Sequence, residues 1–176
     1  MRVLDIGAGN GKTCRRQFPE ADIVTLDADA NTHPDIVHDI TTPFLPALGK
    51  FDAVYCSHVL EHIDRVKVLP TIKNIADVLV DGGDFYVIVP ALEWAMAELM
   101  KPKPSPVVIA HIFGQQDTPY QYHRCGFTLP MLRRVCMTAG LAIIAAQQGN
   151  FLIDMEGGGS FPAVQDIVVA RKVSKS

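Results

Sequence analysis

A chain of 176 residues is long enough for one domain with one good core. Nearly half of its residues are apolar and a fifth are charged, as in globular proteins, and a formal net charge of -3 argues against nucleic acid or an anionic membrane as partner. No apolar run approaches a membrane span, and an acid and glycines interrupt MRVLDIGAG before any leader pattern forms. Four cysteines without a CxxC pair suit a reducing cytoplasm.

In chain order, RVLDIG reads as a buried strand stopped by glycine, KTCRRQF as a short helix before Pro19, and DIVTLDAD as a second strand ending in acids. PDIVHDI reads as a third, shorter strand. FDAVYCSHVL is a fourth, turning helical at its far end. RVKVLPTIKNIADVLVDGG carries apolar residues at helical spacing and is expected to stop at Gly82 and Gly83. DFYVIVP is a fifth strand closed by Pro90. KPKPSP opens a stretch from Lys101 to about Phe127 that reads as irregular, a length that in a compact domain is often functional. LPMLRRVCMTAG is a helix with Thr128 as N-cap and Gly140 as its stop. LAIIAAQQ and DIVVARKV leave no room for a helix between them and read as an antiparallel hairpin with a long loop. Strands alternating with helices predict an α/β fold: a doubly wound, mostly parallel seven-stranded sheet with an antiparallel final strand and helices on both faces. Such sheets bind ligands at the carboxyl ends of their strands, beside the switch point.

The opening loop LDIGAGNGKT sits at that place. A Walker A loop needs a glycine at position 6, where Ile6 stands; the first glycine is Gly7, one residue short, so the ring of amides around a phosphate cannot close. A dinucleotide fingerprint matches at Gly7 and Gly9 but finds Lys12 where the third glycine must allow close helix–strand packing. What stands here is D-x-G-x-G-x-G: Asp5, Gly7, Gly9 and Gly11.

In this motif the chain resembles the class I S-adenosylmethionine-dependent methyltransferases, in particular their small-molecule type with a VLEHI segment. FDAVYCSHVLEHI, VLVDGGDFYVIVP and FTLPMLRRVCMTAGL resemble that family's later segments in the right order. The resemblance implies a Rossmann-like fold and S-adenosylmethionine as cofactor. The glycines let the backbone approach its methionine part, and Asp5 belongs to the same motif. Asp27, at the end of the second strand, accepts the ribose hydroxyls, with Asp29 the alternative if the strand end lies two residues further on. Asp39 bonds the adenine amino group, Ile40 packs on the ring, and Ser57 lies at the cofactor after the fourth strand. The family usually carries one or two helices ahead of the first strand, where this chain begins; a cover for the site then comes from elsewhere or is lacking, or the sequence is truncated ahead of that strand.

The segment 91–128 is left over from these motifs and is expected to be a substrate-side insertion in a single domain spanning 1–176. It concentrates His111, Asp117, Tyr120, Tyr122, His123 and Arg124, which suits a small polar acceptor, a sugar or natural-product intermediate among them. Methyl transfer from a sulfonium needs alignment and exclusion of water, and an oxygen or nitrogen acceptor gains from a base; His111 and His123 are the expected bases. There is no [DNS]-PP-[YFW] segment after the fourth strand and no Pro-Cys pair, which argues against nucleic-acid methylation. A homodimer stays open. Two rival readings remain: a non-catalytic cofactor-binding subunit, and a zinc hydrolase through His58, Glu61 and His62, an H-x-x-E-H motif that on a helix would place its histidines one turn apart. In the methyltransferase reading His62 shapes the cofactor pocket, and Glu61 is a solvated or rim acid.

Overall fold

The computed structural model describes residues 1–9, 11–154 and 158–174. Seven strands form one sheet: β1 (Arg2–Ile6), β2 (Asp22–Asp27), β3 (Ile36–Val37), β4 (Phe51–Ser57), β5 (Leu79–Pro90), β6 (Leu141–Asp154) and β7 (Ser160–Lys172). Their order is β3-β2-β1-β4-β5-β7-β6. The first five run parallel; β7 is antiparallel to both β5 and β6. The order reverses between β1 and β4, which makes the carboxyl ends of those strands the switch point and the natural place for a ligand.

Period-two alternation sends the two sides of each strand to different cores. Leu4, Ile6, Val54, Cys56, Phe85 and Val87 face one side, where α2 (Arg65–Val78) and α5 (Leu129–Thr138) cover them with Ile72, Ile75, Leu132 and Cys136. Val3, Ala53 and Tyr55 face the other side and meet Cys14 and Phe18 from α1 (Lys12–Gln17) and its end. The Thr128 cap is as expected, its hydroxyl accepting from the Met131 amide at 3.3 Å.

Four elements differ from their sequence patterns. The helix expected to run to Gly82 ends at Val78, because fully buried Leu79 leaves it to pair with Phe51; the glycines lie inside β5, where the register shifts between Phe51 and Ala53. The pattern was apolar for the sake of the sheet, and tertiary pairing overrode helix spacing. Within the stretch expected to be irregular stands a further helix, α4 (Val108–Phe113), preceded by α3 (Leu92–Leu99); Val107 and Val108 are buried, and His111 of α4 bonds the Ala91 carbonyl. The final hairpin is longer than expected, with pairs from Leu141↔Lys172 out to Asp154↔Ser160, so strand occupies most of the supposed loop. Finally, H-x-x-E-H is not helical: His58 takes φ 56°, and Leu60–His62 form a single 3-10 turn. Its histidines therefore do not stand one α-turn apart.

Candidate active site

Two adjoining cavities open at the switch point. The larger, about 1020 Å³, is lined by Gly7, Asp27, Asp39, Ile40 and His58, with Tyr120, Gln121 and Arg124 on its far wall. The smaller, about 230 Å³, is lined by His58, Glu61, His62, His111, His123 and Phe151, among others. His58, His62 and Gln121 belong to both walls.

The glycine loop leaves β1 through three left-handed residues, Gly7, Gly9 and Gly11, with φ between 48° and 66°. Gly7 has a second constraint: a Cβ there would stand 2.2 Å from Val59 Cγ2. The Asp27 carboxylate braces the loop, accepting from the Gly9 amide at 3.1 Å and the Asp29 amide at 2.9 Å. A carboxylate offers about four acceptor positions, so room remains for ligand hydroxyls. Asp29 accepts from the amide and side chain of Asn31 at 2.9 and 2.8 Å, both on Oδ1, and lines the same cavity. Asp39 accepts from the Thr41 amide at 2.9 Å, and Ile40 is buried behind it. Gly9, Gly11, Asp5 and Ser57 are not among the residues lining either cavity. Gly9 binds Asp27, Gly11 precedes α1, Ser57 ends β4, and Asp5 is buried beside Cys14.

The histidine cluster comes from distant parts of the chain. His111 Nε2 donates to the Ala91 carbonyl at 3.2 Å, while its Nδ1 is buried without a partner. Burial pushes its pKa down to about 4; the Ala91 bond opposes it, and neighbouring His58 and His123 add smaller downward effects. The His111 carbonyl in turn accepts from His123 Nδ1 at 3.1 Å. His123 is also shifted below the ordinary histidine value, mainly by burial. Glu61 is only 1% exposed and lies 3.5 Å from His58 Nδ1 and 4.0 Å from His62 Nε2. Burial works to raise its pKa, but His58 and then His62 outweigh it and hold the carboxyl below its usual range.

A methyltransferase-domain family model matches residues 1–146. The chain belongs to that methyltransferase family. Its fold is similar to a SAM-dependent methyltransferase of Methanosarcina mazei, at 15% identity and a TM-score of 0.68, over 99% of this chain and 93% of that one. A S-adenosylmethionine-dependent methyltransferase from Clostridium acetobutylicum gives 11% and 0.66, over 98% and 84%. The N-methyltransferase NodS from Bradyrhizobium japonicum gives 14% and 0.63, over 98% and 86%. No curated protein matches the sequence.

S-adenosylmethionine is the cofactor of this methyltransferase, and the larger cavity fits it. Its volume suits a nucleoside-sized ligand, and the carboxylates of Asp27 and Asp39 stand at successive strand ends with Ile40 between them and the core. The residues that sequence reasoning passed over are of two kinds. Val59 is the wall that requires a glycine at position 7, and Phe151 and Ile153 reach the smaller cavity from the extended β6. The apolar run Phe151–Ile153 was a signal for the latter. Glu61, expected as a solvated or rim acid, is instead buried at the centre of the cluster.

Asp5 gives the methyltransferase a pH-dependent stability. Burial, against the opposing bond from Cys14, raises its pKa from 3.8 to about 7, with nearby Asp27 adding to the rise. The folded state thus holds this proton more tightly than the unfolded chain does. That contribution is complete below the unfolded value and is lost as pH rises through about 7. Asp5→Asn mimics the protonated form. Between about pH 4 and 7 the ligand-free wild type should lose stability relative to Asp5→Asn by about 1.4 kcal/mol per pH unit. Urea unfolding of both proteins at several pH values measures this; parallel curves would show that Asp5 does not carry the effect.

Proposed function

We propose that this methyltransferase moves the methyl group of S-adenosylmethionine to a small polar acceptor held in the histidine-lined cavity, with segment 91–128 as the substrate-side insertion of one domain. The observation that carries this reading is the wall shared by the two cavities: an acceptor in the smaller one faces a donor in the larger across His58 and His62. The smaller volume, about 230 Å³, favours a compact molecule such as a sugar or natural-product intermediate over a macromolecule. The net charge of -3 also speaks against nucleic acid.

S-adenosylmethionine supplies a methyl already activated on a sulfonium. The chain's part is to align the acceptor, exclude water and remove the acceptor's proton. His111 and His123, both expected as bases, divide the work in this reading. Both nitrogens of His111 are buried, so it serves as a positioning residue, whose carbonyl sets the ring of His123. His123 keeps Nε2 for the cavity and takes the proton. On the cofactor side, Gly7, Asp27, Asp39 and Ile40 contact the donor, while Asp5, Gly9, Gly11 and Ser57 shape the loop and strand ends from behind.

Among the described residues no helix is long and apolar enough to cross a membrane. Three of the four free cysteines are buried and the fourth is half-buried, and they support a reducing, cytoplasmic setting. A homodimer is compatible with this reading and is not required by it.

Calorimetry with S-adenosylmethionine and its demethylated product tests the donor site. Asp27→Ala should weaken binding by about 1.5–3 kcal/mol, the scale of hydrogen bonds to a charged group. Unchanged affinity in Asp27→Ala, with a loss in Asp29→Ala, would move the ribose contact by two residues. Saturation by ATP or NAD in place of either compound would overturn the donor assignment.

A further inference from the structure

The turn Leu60–His62 is fastened to the segment before α5. The amides of Arg124 and Cys125 donate to the Glu61 carbonyl at 2.7 and 3.2 Å, and the Cys125 thiol donates to the Leu60 carbonyl at 3.4 Å. This stitching brings Glu61 and His62 against His123. One donor atom from each of the three lies within 4.8 Å of the other two. We propose that Glu61, His62 and His123 form a binding site for a divalent transition-metal cation, Zn²⁺ being the ion that fits, in the wall of the acceptor cavity.

The imidazoles are set for it. His62 Nδ1 lies 3.2 Å from the Tyr122 carbonyl, and His123 Nδ1 lies 3.1 Å from the His111 carbonyl. A carbonyl can only accept, so each Nδ1 carries the hydrogen and each Nε2 presents its lone pair; the tautomer follows from the partner. A backbone carbonyl on the far nitrogen is the usual way a protein orients a metal-binding histidine. The carboxylate is set for it as well. Both oxygens of Glu61 are buried and have no hydrogen-bond partner. His58 Nδ1 is also 3.5 Å from this carboxylate, and its Nε2 is engaged with Gln165 Oε1 at 3.0 Å; among the described residues the mutual 4.8 Å spread is met by Glu61, His62 and His123. A cation between Glu61 and the two lone pairs would satisfy all three groups at once.

The donor set selects the ion. Two imidazoles and one carboxylate are a zinc set with a fourth position left open, whereas Mg²⁺ and Ca²⁺ favour oxygen ligands. Tetrahedral Zn²⁺ with bonds of about 2.0–2.1 Å spaces its donors about 3.3 Å apart. Small rotamer changes in three side chains close the present spread. The open position would face the cavity that also holds His111 and Phe151. A cation there would lower the proton affinity of an acceptor hydroxyl or thiol bound to it; with His123 engaged as its ligand, the proton would pass to solvent water.

This inference goes beyond the methyl-transfer reading and is tested by metal binding alone. The purified full-length protein, stripped with a chelator, is titrated with Zn²⁺ against a chromophoric competitor, and separately with Co²⁺ while the visible spectrum is recorded. The expected result is one equivalent of Zn²⁺ at micromolar affinity or tighter, and cobalt bands of a low-coordinate site. His123→Ala and Glu61→Gln should each weaken Zn²⁺ binding about 100-fold or more, and His33→Asn, outside both cavities, should not. His123→Ala keeps the test readable if Glu61→Gln fails to fold. Less than about a tenth of an equivalent bound by wild type, or equal affinity in wild type and His123→Ala, overturns the site. Calorimetry with S-adenosylmethionine on the stripped protein keeps this outcome separate from that of the donor assignment.

Discussion

Replacing His123 by Ala is expected to lower turnover about 10²–10⁴-fold while leaving cofactor affinity nearly intact. The split follows from position. His123 lines the smaller cavity and is absent from the wall of the larger one, so its loss falls on the acceptor's chemistry and not on the donor's seat. The loss is expected whether the ring takes the acceptor's proton itself or holds a cation that lowers the acceptor's proton affinity, since both routes serve the same deprotonation. His111→Ala should behave differently. It removes the bond to the Ala91 carbonyl and empties a buried space beside Trp94, whose ring centroid lies 4.8 Å away, so it should lower stability and disturb both binding steps together. Single-turnover kinetics with a verified acceptor, beside thermal unfolding of each variant, measures both. Full turnover in His123→Ala would end its part in proton removal and leave alignment as the chain's whole contribution.

Gly7→Ala should cost about 2–4 kcal/mol of stability, combining left-handed strain with overpacking. The backbone at position 7 has φ 64°, and the new Cβ would meet Val59 Cγ2 at 2.2 Å. Valine is stiff about χ1, so it cannot swing its methyl away freely. Because Gly7 also lines the donor cavity, binding of S-adenosylmethionine should weaken with the fold. The double variant Gly7→Ala/Val59→Ala should recover part of the loss, since it removes the clash and leaves the strain. No recovery would mean that strain alone sets the requirement. A stability unchanged in the single variant would mean that the loop and the 58–62 segment do not pack as described. Gly9 and Gly11 offer the contrast: both are left-handed, but a Cβ there meets nothing within 4 Å, so alanine should cost strain alone.

By itself, the sequence determined the features that depend on neighbours along the chain. An apolar run stopped by glycine marked β1, a longer apolar run turning helical at its far end marked β4, Thr128 marked the start of α5, and the spacing of Asp5, Gly7, Gly9 and Gly11 separated this loop from two phosphate-binding loops. The alternation of strands and helices was enough for the parallel sheet, because right-handed crossovers leave few other ways to bury such a pattern. Tertiary structure alone decided where α2 gives way to β5, since burial of Leu79 against Phe51 competes with helix spacing and has no local signature. It also decided how far β6 and β7 extend, because hydrogen-bond pairing carries a hairpin past the point where composition suggests a loop. Above all it decided the histidine cluster. H-x-x-E-H in the sequence suggests a helix with two ligands on one face. In the fold the positive φ of His58 and the 3-10 turn after it turn the motif inward, and His123, 61 residues beyond His62, completes the group. A cluster assembled across that separation is held by bonds from Arg124 and Cys125 to the Glu61 carbonyl, contacts between residues that no local pattern relates.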